Sequence, residues 1–326
     1  LGLPTWHEVS TDLAELATSA ALTGWLLVLV LLLEAAFPAD LVNKVVELVR
    51  TPAVRGRGTA APRVPGWLRL PACALVGGVL LAWADAQNRS FLDGGVQLKV
   101  GAGAVALVLV ALAYETPKDL LLRRVRGPSR IRAVGLGFAV AAAMATASRL
   151  SGSPVPYVYG LVIVYIALVV EPEGPHKGRA TFGGALSVLV VCLGLWVAAE
   201  PVIQQARHAG PGTYTLGHAA CVVLVLGVQA AVFGLVPVRP LDGYDLKRWS
   251  RRLWWLVYVP ALFLYVHVVL NTPRSPAVAE SLGQSPRMTV LYAATALFLV
   301  AAAVSLALRR YARQPGEAGD GHGVAR

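Results

Sequence analysis

Few residues in this sequence combine reactive chemistry with surroundings that would let them act. Glu34 is the one carboxylate inside the apolar run from Ser19 to Phe37, four residues before Pro38. An ionisable group at such a position is either a proton or solute relay, or a cap that reaches the membrane surface. Asp242 closes the stretch Phe233-Gly-Leu-Val-Pro-Val-Arg-Pro-Leu241 and precedes Gly243. The histidines are His7, His176, His208, His218, His267 and His322. A helical zinc hydrolase needs two histidines four residues apart and a glutamate that activates water. No pair of the six has that spacing. On one helix, at ~1.5 Å per residue, His218 would stand ~36 Å from Asp242. His218 opens one apolar run and His267 closes the next. In antiparallel spans the two rings would share a depth, as a metal-binding or titrating pair. The plainer reading gives each ring a backbone carbonyl or water. Cys73, Cys192 and Cys221 all fall inside apolar runs, where cysteine behaves as a small buried apolar residue. No cofactor is expected.

These residues sit in a chain built for lipid. Of 326 residues, 56% are apolar and 14% charged, against about 25% charged in soluble domains. Apolar runs cover Ser19–Phe37, Trp67–Asp85, Lys99–Tyr114, Ile131–Leu150, Tyr157–Val170, Phe182–Ala199, Tyr214–Val236, Leu253–Leu270 and Met288–Leu308. A span takes about 20 residues, so the expectation is an all-α, polytopic membrane bundle of nine transmembrane helices. With the N-terminus outside, 23 of the 29 Lys and Arg lie in or beside inner segments. Cytoplasmic loops carry that excess, which predicts N-out and C-in topology in the cell membrane. The net charge of +11 is then a match for anionic lipid headgroups at the cytoplasmic face. It is scattered over loops and lacks interleaved aromatics, which argues against nucleic acid.

Residues 1–18 read as an extracytoplasmic lead-in, 19–308 as the transmembrane domain and 309–326 as a polar, disordered cytoplasmic tail. Leu1 stands where a Met would open a chain, and no leader pattern follows it; the expectation is that a further segment precedes it. Asp40–Arg50 is amphipathic at helical spacing and suits the headgroup layer. Thr116-Pro117 is placed as the N-cap and first turn of a second such helix, unless the third span simply continues. Gly137, Ala141, Ala145 and Ser148 put small residues on one face of the fourth span, which favours close packing. Trp249, Trp254 and Trp255 with Arg248, Arg251 and Arg252 read as an anchoring belt at the inner face.

Pro237 and Leu241-Asp-Gly243 resemble part of the stretch that supplies a zinc ligand in site-2-protease-like intramembrane metalloproteases. Gly234 takes the position of that pattern's Asn, and the two-histidine half is missing. A closer likeness is carried by Phe233-Gly-Leu-Val-Pro237 with Leu241-Asp-Gly243, by Leu3–Ser10 leading to Phe37–Asn43, and by Pro156–Leu161. Together they resemble the FGLLP motif-containing membrane proteins of actinobacteria. Val236 replaces the second Leu of that motif. The resemblance implies a multi-pass membrane location and an extracytoplasmic domain ahead of the spans, and no defined activity. The leading expectation is therefore a non-catalytic anchor, scaffold or interaction module with Phe233, Gly234, Leu235, Pro237, Leu241, Asp242 and Gly243 as structural motif residues. A degenerate site-2-protease relative and a small-solute or lipid transporter are the alternatives.

Overall fold

The computed structural model describes residues 5–36, 66–84, 93–126, 176–205, 210–239 and 241–270, with isolated positions at 142–149 and 295–307. Among the described residues all regular structure is helical. A 3₁₀ turn at Trp6–Glu8 leads into α1 (Leu13–Ala36); α2 is Gly66–Ala84 and α3 Gly94–Arg126. Then come α4 (His176–Ala198), α5 (Glu200–Gln205), α6 (Pro211–Gly234), α7 (Asp242–Trp249) and α8 (Arg251–Leu264). A π-helical turn, Tyr265–Val269, continues α8. The amphipathic stretch 40–50, the run 157–170, the motif 156–161 and the tail 309–326 lie outside the described residues, as does most of the runs 131–150 and 288–308.

Among the described residues, five helices are long and apolar enough to cross a membrane: Leu13–Ala36, Gly94–Leu122, His176–Ala198, Gly212–Gly234 and Arg251–Val269. Pro71–Ala84 is a shorter apolar helix. Their outward faces decide what surrounds them. Along α3, Ala102, Ala106 and Val110 are buried, whereas Val105, Leu109 and Leu112 point outward. Along α4, Val188 and Cys192 are buried and Leu186, Val190, Val191 and Val197 are exposed. A helix of a water-soluble bundle turns a polar stripe outward. Here the outward stripe is leucine and valine, as lipid requires.

Of the two readings of the stretch after Tyr114, the continuation holds: α3 runs unbroken through Pro117 to Arg126. Proline removes one N–H and crowds the carbonyl four residues back, a cost that neighbouring helices and side chains absorb in membrane bundles. Trp254 is not an interface anchor. It is fully buried, and its indole N–H donates to the Leu235 carbonyl at 2.8 Å.

The bundle has two polar ends. α2 and α3 pack antiparallel, with Gly78 against Val100 and Gly103 against Leu81. Their shared end carries Trp83, whose carbonyl accepts from Arg149 at 3.0 Å. At this far end His7 meets Glu200 at 2.8 Å, and His267 meets Ser19 and Ser10. The opposite end gathers Glu34, Lys118, Lys177 and α7. Trp25 donates to Thr295 at 3.4 Å and Ser305 donates to the Ala36 carbonyl. The last apolar segment therefore runs beside α1 in the same direction.

The motif residues form the turn that lets α6 end and α7 begin. α6 stops at Gly234 with Leu235 as its cap. Val238 donates to the Val236 carbonyl at 2.8 Å and Leu241 to the Val238 carbonyl at 2.9 Å. The chain then folds back until Gly243 lies on the Leu235 backbone: a Cβ at Gly243 would stand 2.0 Å from the Leu235 carbonyl oxygen. Gly243→Ala should therefore cost about 2–3 kcal/mol through overpacking. Gly194, with open space around its Cβ position, should tolerate alanine without loss. Thermal unfolding of the two variants in detergent checks this.

Candidate functional site

Asp242 is the first residue of α7, not the end of a helix-terminating turn as the motif alone suggests. Leu241 takes the N-cap position without a side-chain hydrogen bond. A carboxylate in the first helical turn is favoured by the exposed N–H groups there. Asp242 Oδ2 also accepts from Lys118 Nζ at 2.7 Å and from the Tyr114 hydroxyl at 2.8 Å. Lys118 donates again to Glu115 Oε1 at 3.2 Å and lies 4.6 Å from the Tyr114 ring centroid. Tyr114 and Lys118 are one helical turn apart, so one face of α3 supplies both.

This cluster is possible because α4 comes unusually close. A Cβ at Gly184 would sit 2.5 Å from the Tyr114 carbonyl oxygen and 2.8 Å from Lys118 Cγ. Two turns earlier, a Cβ at Gly178 would meet the Trp249 side chain at 2.3 Å and the Asp245 carbonyl at 2.9 Å. Glycine at these two positions presses α4 against α3 and α7 together.

Two more ion pairs extend from α7. Asp245 pairs with Lys177 of α4 at 2.7 Å, and Lys247 pairs with Glu34 of α1. Lys247 Nζ also lies 4.8 Å from the Trp254 ring centroid. Thus Asp242, Asp245 and Lys247 each bind a different membrane helix: α3, α4 and α1. Glu34 is not an isolated intramembrane acid; it is the α1 half of one of these pairs.

The remaining predicted residues are placed as follows. Phe233 packs edge-on against Tyr265, with centroids 5.9 Å apart. Leu235 is fully buried, and its carbonyl receives Trp254. Pro237 lies in the turn between α6 and α7. His267 sits in the π turn with Nδ1 2.9 Å from Ser19 Oγ and Nε2 3.0 Å from the Ser10 carbonyl. A carbonyl only accepts, so Nε2 carries the proton and Nδ1 takes the Ser19 hydroxyl's. His218 stacks on Tyr214 at 6.0 Å. A metal at His267 would have to displace both of its present partners. Among the described residues, no group of three or more His, Cys, Asp or Glu is placed to hold a metal.

Sequence reasoning missed Tyr114, Glu115, Lys118, Lys177 and Asp245. The available signal was charge at the inner end of a span, Glu115 and Lys118, in a helix with only one other Lys or Glu before it, Lys99.

No known protein family, curated protein or solved structure matches the chain. Geometry and chemistry alone bear on its role.

Burial pushes the Asp242 carboxyl up. The Lys118 ammonium, the hydrogen bonds from Lys118 and Tyr114, and the charge of Lys177 outweigh it and hold the carboxyl below the ordinary aspartate range. A carboxylate with a depressed native pKa contributes stability in full above its unfolded pKa, ~3.9. That contribution is lost as pH falls through the native value. Acid unfolding of the wild-type protein should therefore be steeper below about pH 4 than that of Asp242→Asn. Lys118→Ala leaves two buried carboxylates without their cation and should cost about 3–5 kcal/mol near neutrality. Lys118→Met combined with Asp242→Asn should recover much of that loss. Denaturant or thermal unfolding of the four proteins over pH reads both effects.

Proposed function

We propose that this chain is a multi-pass domain of the cytoplasmic membrane that acts as a non-catalytic anchor or scaffold with a fixed basic face. The carrying observation is α7. Its inward residues Asp242, Asp245 and Lys247 are spent on ion pairs with α3, α4 and α1. Arg248, Arg251 and Arg252 at its outer side and on the start of α8 are exposed, beside a partly exposed Trp249. A short helix held at three points and showing arginine and tryptophan outward suits anionic headgroups or an acidic partner segment.

The nine-span, N-out and C-in layout belongs to the same reading. It is supported by the pairing of polar groups end with end. Arg149 reaches Trp83 at the far end, while α3 before it and Lys177 after it belong to the α7 end. The chain must change ends twice between α3 and α4, as two spans would do. The excess of Lys and Arg at the α7 end favours the cytoplasm for that side. The likeness to FGLLP motif-containing membrane proteins fits this reading, and the turn at Phe233–Gly243 gives those residues a structural task.

One observation favours a transport reading in second place: a buried group of charges at the Lys118 end of α3. The site-2-protease reading has less support, since Asp242 Oδ2 already serves Lys118 and Tyr114. Zinc in purified protein that is lost in Asp242→Ala would reverse that order.

Topology is tested in cells with a membrane-impermeant thiol reagent, in a background lacking the native cysteines. Arg248→Cys should label only after the membrane is opened. Gln97→Cys, exposed at the far end of α3, should label in intact cells. The opposite pattern would overturn the orientation and the role assigned to the basic face.

A further inference from the structure

The cluster beneath α7 does not balance its charge. Lys118 supplies one ammonium, and Glu115 and Asp242 supply two carboxylates. The neighbouring pairs do not correct this. Lys177 is matched by Asp245 at 2.7 Å, and Lys247 by Glu34. Asp119, half-buried on α3, adds to the negative field at Glu115. Tyr114 gives its one proton to Asp242. Within the triad of Lys118, Glu115 and Asp242 itself, one negative charge is left over.

Two polar atoms border the cluster without a hydrogen-bond partner among the described residues: Glu115 Oε2 and the Thr181 hydroxyl. Thr181 is fully buried. It lies on α4 one turn after Gly178, which touches Asp245 and Trp249, and one turn before Gly184, which touches Tyr114 and Lys118. A helical residue between those two contacts faces the junction of α3 and α7. Thr181 thus faces the junction where the Lys118 cluster lies, and Glu115 Oε2 is a buried carboxylate oxygen of that cluster. A buried uncompensated charge is strongly destabilising. A proton on the carboxylate or a bound monovalent cation removes that cost.

We infer that Glu115, with Thr181 on the facing helix α4 and the Lys118–Asp242 pair behind it, forms an exchangeable site for one small monovalent cation: a proton or sodium. In the proton form Glu115 is a neutral acid and its O–H is the donor that the Thr181 hydroxyl accepts. In the sodium form the carboxylate stays charged and both oxygens ligate the ion. The inference stands apart from the scaffold reading, since it needs neither the span count nor the orientation.

Infrared spectroscopy of purified full-length protein carrying isotope-labelled glutamate tests it. At neutral pH in sodium-free buffer, a protonated-carboxyl carbonyl band is expected. It should be absent in Glu115→Gln and retained in Glu34→Gln. Thr181→Val should shift the band's frequency, which keeps the measurement informative if Glu115→Gln does not fold. Loss of the band on adding sodium but not potassium would show that the two cations exchange at one site. A spectrum without the band, with sodium still raising the unfolding temperature of wild type and not of Glu115→Gln, would assign the site to sodium. No band and no sodium effect would overturn the inference.

Discussion

Three partly buried ion pairs hold the described part of the bundle together at one end. α7 has only eight residues, too few to be stable alone in water. It forms because Asp242, Asp245 and Lys247 find opposite charges on α3, α4 and α1. Surface pairs contribute little, but pairs taken from water are costly to break on one side only. The arrangement therefore works by mutual dependence. Each membrane helix brings a charge that is expensive near lipid, and α7 brings the partner. The backbone makes the same demand, since the Leu235 carbonyl at the end of α6 is satisfied by the Trp254 indole. Gly243 can touch that same peptide only because it lacks a side chain.

The rest of the architecture follows from what the helices avoid. Their middles carry mostly apolar residues inward and outward alike, with Thr23, Gln229 and Tyr258 as buried exceptions, while the ion pairs lie at the two ends. The far end joins His267 to Ser19 and the Ser10 carbonyl, beside the His7–Glu200 contact and Arg149. The near end is ionic. The two ends differ chemically, because Arg248, Arg251 and Arg252 remain exposed around α7 while its acids pair with lysines of the membrane helices.

The helical, lipid-facing character of the chain was legible in the sequence because it depends only on composition and run length. The runs at Ser19–Phe37, Trp67–Asp85, Phe182–Ala199, Tyr214–Val236 and Leu253–Leu270 all fall within or across described helices. Boundaries were less legible. α1 begins at Leu13, since a polar residue such as Thr18 or Ser19 stays helical when its hydroxyl is bonded within the bundle. α3 passes Pro117 because its far half is held by Asp242 and α4, a tertiary contact no local rule contains. The motif Phe233–Gly243 stood out from sequence, yet its partners lie 124 residues away at Lys118 and 213 away between Lys247 and Glu34. Residue spacing along one helix does not report such pairings. Trp254 shows the same limit: its place next to arginines suggested an interface, and only packing reveals that it caps another helix.

The chain distances between paired groups also have a temporal meaning. Glu34, Lys118 and Lys177 are made before α7 exists. Their counter-charges emerge only after α6 has been completed. Until then the growing polypeptide must keep these side chains at the headgroup layer or in the insertion machinery, where water can still solvate them. The compact form can close only when the ribosome has passed Lys247, about three-quarters of the way along the chain, so the last quarter dictates when the earlier part becomes a finished bundle.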